Sequence, residues 1–134
     1  MVTLAVAGVL AAIAVPMYTD YISQSQVVRV HSELLQHARA AEILVAEARD
    51  DLIVDDPGEA VGFVDSTLST TEFGSFADEA SSTIKATLDG SVSSAIRGTT
   101  ITLSRGADGS WSCEVLGAGG RWRDAFVPPT CRTN

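Results

Sequence analysis

Residues 1–21 read MVTLAVAGVLAAIAVPMYTDY, and the fold turns on how far the helix that they begin continues. The first fifteen carry no charge, and Thr3 is their one polar side chain. As a helix they extend about 22 Å at about 1.5 Å per residue. A bilayer core of about 30 Å asks for about 20 residues, so fifteen fall short unless apolar residues precede them. A cleaved secretion signal needs a basic start and a small-residue cleavage site followed by a break in structure. Ala12 and Ala14 form a weak site of that kind, but no Lys or Arg precedes Arg29, and the helical pattern does not stop.

Beyond Pro16, apolar residues recur at Val27, Val30, Leu34, Ala38, Ala41, Leu44 or Val45, Ala48 and Leu52. Steps of three and four mark one face of a helix. Arg29, Ser32, Glu33, Gln36, Arg39 and Glu47 take the opposite side. The apolar face is expected to cover a globular domain. Joined to the apolar start, it predicts one helix from residue 1 to about 50, ending by 52, far longer than is usual in a globular domain. Pro16 lies inside it, where the ring removes one backbone hydrogen bond and crowds the carbonyl of Ala12, so a kink or a local opening is expected.

Residues 53–80 mix Gly, Ser, Thr and acids with scattered apolar residues (Val61, Phe63, Val64, Leu68, Phe73 and Phe76), and are expected to form a loop with a short helical turn near 71–80. Three short strands follow in 81–115. Ile84, Ala86 and Leu88 alternate with polar residues in 82–88, Ile101 and Leu103 in 99–104, and Trp111, Cys113 and Val115 in 110–115. A period of two with one apolar face predicts an antiparallel sheet covered on one side. Gly106, Ala107, Asp108 and Gly109 suit a hairpin turn between the last two strands. The second half of the long helix offers the cover, which makes an α+β arrangement: a helical spine packed against a small antiparallel sheet.

Composition limits the function classes. A chain of 134 residues with 46% hydrophobic content suits one small domain with an apolar appendage. The net charge of −8 argues against a dedicated nucleic-acid binder. Acids crowd the middle, where Arg49 is the one base between Glu42 and Glu79, while Arg121, Arg123 and Arg132 make the C-terminal end mildly basic. The two cysteines, Cys113 and Cys131, are free thiols if the protein is cytosolic and a disulfide if it is exported.

No set of residues supplies a nucleophile, a base and a charge stabiliser, so no catalytic residue, cofactor or metal is assigned. His31 and His37 are six residues apart on the helix and point to different sides, and no cysteine–histidine cluster has zinc spacing. Asp50, Asp51, Asp55, Asp56 and Glu59 lack the ordered ligand spacing of a calcium loop and read as a solvated acidic stretch. Gly117, Ala118, Gly119 and Gly120 precede no helix that could cradle a phosphate, and read as a flexible stretch. Arg121, Trp122 and Arg123 form a basic-aromatic patch, read either as an exposed contact surface or as a packed indole between solvated arginines.

The run from Leu10 to Tyr21, with Ala11, Ala12, Ile13, Ala14, Val15, Pro16, Met17, Tyr18, Thr19 and Asp20 in that order and Ser25, Gln26 and Val27 after it, closely resembles the N-terminal helix of type IVa pilins. Gly8 ahead of the proline fits as well. In that family a basic leader ending in Gly precedes an N-methylated Phe and the run Thr-Leu-Ile-Glu-Leu. The resemblance thus implies a chain truncated before Met1, whose missing residues would bring the apolar segment to spanning length. It also implies a loop over 113–131 closed by a disulfide between Cys113 and Cys131. Residues 1–22 are then the membrane and filament-core half of the helix, residues 23–134 the head, and Gly8, Ala11, Ala12, Ala14 and Pro16 the positions where helices pack and loosen. The implied partners are identical subunits in a helical filament, the inner membrane before assembly, the pilus assembly machinery with its prepilin peptidase, and surface receptors or DNA. The alternatives are a minor pilin or type II secretion pseudopilin, or a membrane-anchored periplasmic binding module that never polymerises. The disulfide loop favours a pilin over the major pseudopilin.

Overall fold

The computed structural model describes residues 2–47, 57–74 and 82–134. Helix α1 (Val2–Ala46) is one unbroken element of 45 residues, about 68 Å long at about 1.5 Å per residue. The expected local opening at Pro16 is absent from the subunit: the missing N–H is a single bond, and the turns on either side keep theirs. Thr19 Oγ1 donates to the Pro16 carbonyl at 2.8 Å. The last turn expected near residues 48–52 lies outside the described residues.

A short helix α2 (Pro57–Ala60) precedes five strands: β1 (Thr70–Phe73), β2 (Thr83–Thr87), β3 (Thr100–Arg105), β4 (Trp111–Leu116) and β5 (Cys131–Thr133). They form one sheet in the order β1-β2-β3-β4-β5. The first four are antiparallel, and β5 joins β4 in parallel. The sheet is thus mixed at one edge, where a purely antiparallel one was expected. The chain reaches β5 by a connection long enough to return it in the same direction as β4. The three strands expected from alternation are β2, β3 and β4.

The other two strands correct the loop assignments. β1 lies inside the segment read as a loop with a helical turn. Its sequence Thr70-Thr71-Glu72-Phe73 holds one apolar residue, because it is an edge strand with an exposed face, and β-branched threonines suit it. Residues 53–56 and 75–80 of that segment lie outside the described residues. β5 is three residues long, too short to show a period.

Register explains the core. Phe73, Ile84, Leu103, Cys113 and Cys131 stand opposite one another in a row across all five strands, and Ala86, Ile101 and Val115 form the next row. Against these rows α1 packs Val27, Val30, Leu34, Ala38 and Ala41, all buried. Leu44 and Val45 are partly buried on the same face. The connection between β2 and β3 adds Val92, Ala95 and Ile96, and the 3-10 turn Asp124–Phe126 adds Phe126.

One polar clamp fixes the helix to the sheet. Glu42 on α1 accepts from Trp111 Nε1 at 2.7 Å and pairs with the Arg105 guanidinium at the hairpin. The hydrogen bond from Arg105 holds the Glu42 carboxyl below the usual carboxylate range, aided by the Trp111 bond and opposed by burial. A depressed carboxylate pKa stabilises the fold above the unfolded pKa, and that share is lost as pH falls through the folded value. Glu42→Gln is therefore expected to lower stability by about 1 kcal/mol at neutral pH, since the pair is partly solvated. The gap between parent and variant should close below about pH 4. Melting curves across pH check this, and a gap that persisted in acid would be the wrong sign.

Candidate functional site

Every residue from Val2 to Thr19 is exposed although the run carries no charged side chain. The large apolar residues of the rod, Val2, Leu4, Val6, Val9, Leu10, Ile13, Val15, Met17, Tyr18 and Tyr21, are 54% to 78% exposed. Helix α1 is long and apolar enough to cross a membrane, and the apolar window lies wholly outside the domain's interior. The rod does not fold back on the domain. A surface patch of this extent is far beyond what a soluble monomer carries, and marks an interaction surface.

Gly8, Ala11, Ala12 and Ala14 stand exposed on this rod, around the turns that precede Pro16. A Cβ placed on Gly8 would meet nothing within 4 Å. Nothing among the described residues thus requires a glycine there, although mid-helix glycine costs about 1 kcal/mol relative to alanine. Small side chains that serve no contact of their own let another helix approach closely.

Burial begins at Ser23, which is 0% exposed. Its hydroxyl lies 3.1 Å from that of Ser93 and donates to the Thr19 carbonyl at 2.9 Å. Gln26 Oε1 accepts from the Ser93 N–H at 2.9 Å. Arg123 Nη1 meets Asp20 at 2.8 Å and ties the C-terminal loop to the base of the rod. These contacts hold the domain at one fixed point along the helix.

Cys113 and Cys131 form a disulfide that closes the loop between β4 and β5. Within it, the Trp122 ring lies over Gly117 so closely that any Cβ there would strike the indole. The ring also meets Phe126 edge-on at 5.7 Å between centroids. Gly119 adopts φ 109°, and a Cβ would collide with the Ala95 carbonyl. In the glycine run read as flexible, Gly117 and Gly119 are thus tightly packed, while Gly120 is exposed and open. Thr99 Oγ1 donates to the Ala118 carbonyl at 2.9 Å and accepts from its N–H at 3.0 Å. In the Arg121–Arg123 patch, Trp122 is the packed member, while Arg121 and Arg123 are exposed.

The two histidines separate as their spacing implied. His37 meets Phe63 at a tilt and Phe73 edge-on, with centroids 5.3 and 6.0 Å away. His31 faces the other way, is buried, and lies beside the disulfide. A ring nitrogen of His31 and the two sulfurs lie within 4.8 Å of one another. Spacing along the chain carried no sign of it, because the helix and the sheet edge come together only in the fold. Of the acidic stretch considered for calcium, only Glu59 is among the described residues.

A family model described as pilin, a bacterial filament protein, matches residues 23–132. The chain is 34% identical to a type IV major alpha-pilin of Moraxella bovis, over 98% of this chain and 91% of that protein. It is 35% identical to a fimbrial protein of Pseudomonas aeruginosa, over 98% of this chain and 90% of the other. A type IV major fimbrial protein FimA of Dichelobacter nodosus matches at 33% identity, over 84% of this chain and 81% of its own length. With an exposed apolar rod, a spine packed on a small sheet and a C-terminal disulfide loop, the chain belongs to the pilin family of bacterial filament proteins.

Proposed function

We propose that this chain is the major subunit of a type IV pilus, held in the inner membrane by residues 2–22 until assembly moves it into the filament. The carrying observation is the apolar half of α1, which has no partner among the described residues. Lipid tails and neighbouring helices are both apolar, so exchanging one for the other costs little, and small residues at Ala5, Ala7, Gly8, Ala11, Ala12 and Ala14 favour helix contact. Pro16 and Gly8 mark where the rod loosens in the fibre. A prepilin peptidase and the pilus assembly machinery act on the precursor, and the finished filament serves attachment, twitching motility, biofilm formation or DNA uptake through surface receptors or DNA. The protein's work is structural, with no reaction catalysed.

Shearing filaments from the cell surface, imaging them by electron microscopy and identifying their protein by mass spectrometry tests the proposal. This chain is expected as the dominant component; trace amounts would make it a minor subunit, and an absence of fibres would favour an anchored module.

The C-terminal loop is basic and the middle of the sequence acidic, a contrast of sign that can guide stacking between subunits. The double substitution Arg121→Glu with Arg123→Glu is expected to reduce filament yield sharply, because like charges brought together across an interface cost up to several kcal/mol. Breaking the exposed Arg123–Asp20 pair costs the head itself less than about 1 kcal/mol, so melting should hardly change. Normal filament yield from this variant would remove the charge-guided stacking.

A further inference from the structure

A ring nitrogen of His31 and the sulfurs of Cys113 and Cys131 all lie within 4.8 Å of one another. Two features hold this arrangement independently of the S–S bond. Cys113 and Cys131 are register partners across the parallel pair β4–β5, with Cα atoms 4.5 Å apart. Asn134 N–H donates across that pair to the Val115 carbonyl at 3.2 Å, and a turn that closes with Cys131 N–H on the Pro128 carbonyl at 2.9 Å leads the chain into β5. The imidazole sits on α1, in the buried stripe that packs on the sheet.

His31 is an anomaly as the disulfide form leaves it. It is 7% exposed, and its Nε2 has no hydrogen-bond partner among the described residues. Such a buried polar atom carries an uncompensated desolvation cost and calls for an explanation.

We propose that the reduced chain binds one zinc-class divalent cation through His31, Cys113 and Cys131, and that disulfide formation abolishes the site. Two thiolates and a neutral imidazole are a borderline-soft set that suits tetrahedral zinc, with a water completing the four ligands. Tetrahedral zinc places its ligand atoms about 3.5 Å apart, so the histidine closes by about an ångström and the sulfurs separate by less than about 2 Å. On binding, each thiol releases its proton to solvent and no electron is transferred. Between export and oxidation the cation holds residues 113–131 closed and shields both thiols from mispairing with other copies. The binding claim does not depend on filament formation.

The test uses the full chain in detergent, reduced, freed of reductant without oxygen, and titrated with Co²⁺ as a coloured substitute for zinc. One equivalent is expected, with a thiolate-to-cobalt charge-transfer band and the visible bands of a tetrahedral site, displaced by Zn²⁺. His31→Ala should weaken binding at least about tenfold. Cys131→Ala should abolish the charge-transfer signal at that stoichiometry, and the oxidised chain should take up no cobalt. Circular dichroism of oxidised His31→Ala checks that the variant folds. No binding by the reduced chain, or unchanged affinity in His31→Ala, overturns the proposal. The second outcome includes the case in which an unfolded reduced chain binds cobalt through its cysteines alone.

Discussion

A chain carrying lysine in place of Leu10 is expected to form no filaments while its head folds and melts as the parent's does. Leu10 lies in the middle of the exposed rod and is 63% exposed in the single subunit. A charge at the centre of a membrane helix costs about 2.5–3.5 kcal/mol on insertion. In the filament the cost recurs at every subunit, because identical helices would bury the ammonium against one another without a counter-charge. The head is shielded from the change: burial starts at Ser23, thirteen residues along α1 and about 20 Å away.

Failure of insertion and failure of assembly can be told apart with Gly8→Leu. A Cβ there meets nothing within 4 Å among the described residues, and leucine favours the membrane. The variant is expected to stay membrane-bound and folded, yet to yield far fewer filaments, because the added bulk occupies space that a neighbouring helix needs. Membrane fractionation, electron microscopy of sheared material and melting of the detergent-solubilised chain give the three readouts. Normal fibres from both variants would show that this face of the rod does not lie between copies.

The sequence was most legible where one contact surface dictates a period. Val27, Val30, Leu34, Ala38 and Ala41 are spaced by a helix against a sheet, and all are buried. β2, β3 and β4 alternate because one face is covered and the other is wet. β1 and β5 escaped because an edge strand needs few apolar residues, and because three residues cannot show alternation. Gly117 and Gly119 looked like flexibility, since their reasons are Trp122 and Ala95, which reach them only in the folded loop. Pro16 carried the expectation of an opening that the isolated subunit does not show. The meeting of His31 with two distant cysteines was invisible for the same reason as the glycines: a helix face and a sheet edge place those atoms together, and no local pattern encodes it.

Replacing both Cys113 and Cys131 with alanine is expected to cost about 3 kcal/mol of head stability in the chain-entropy treatment of a loop this size. The separation is 18 residues, and the bond closes the loop on a pair of three-residue length, β4 with β5, whose own backbone bonds are few. A domain of this size loses about 4 °C of melting temperature per kcal/mol, so the midpoint should fall by roughly 12 °C. The loop should not melt first as a separate unit. Trp122 on Gly117, Thr99 with Ala118, and Phe126 in the core tie it to the rest of the head, and they persist without the sulfurs. Tryptophan fluorescence and far-ultraviolet circular dichroism should therefore report one shared, lowered transition. A change of less than about 2 °C would mean that the parallel ladder and the packed indole already fix the loop, and that the staple contributes little to the folded head.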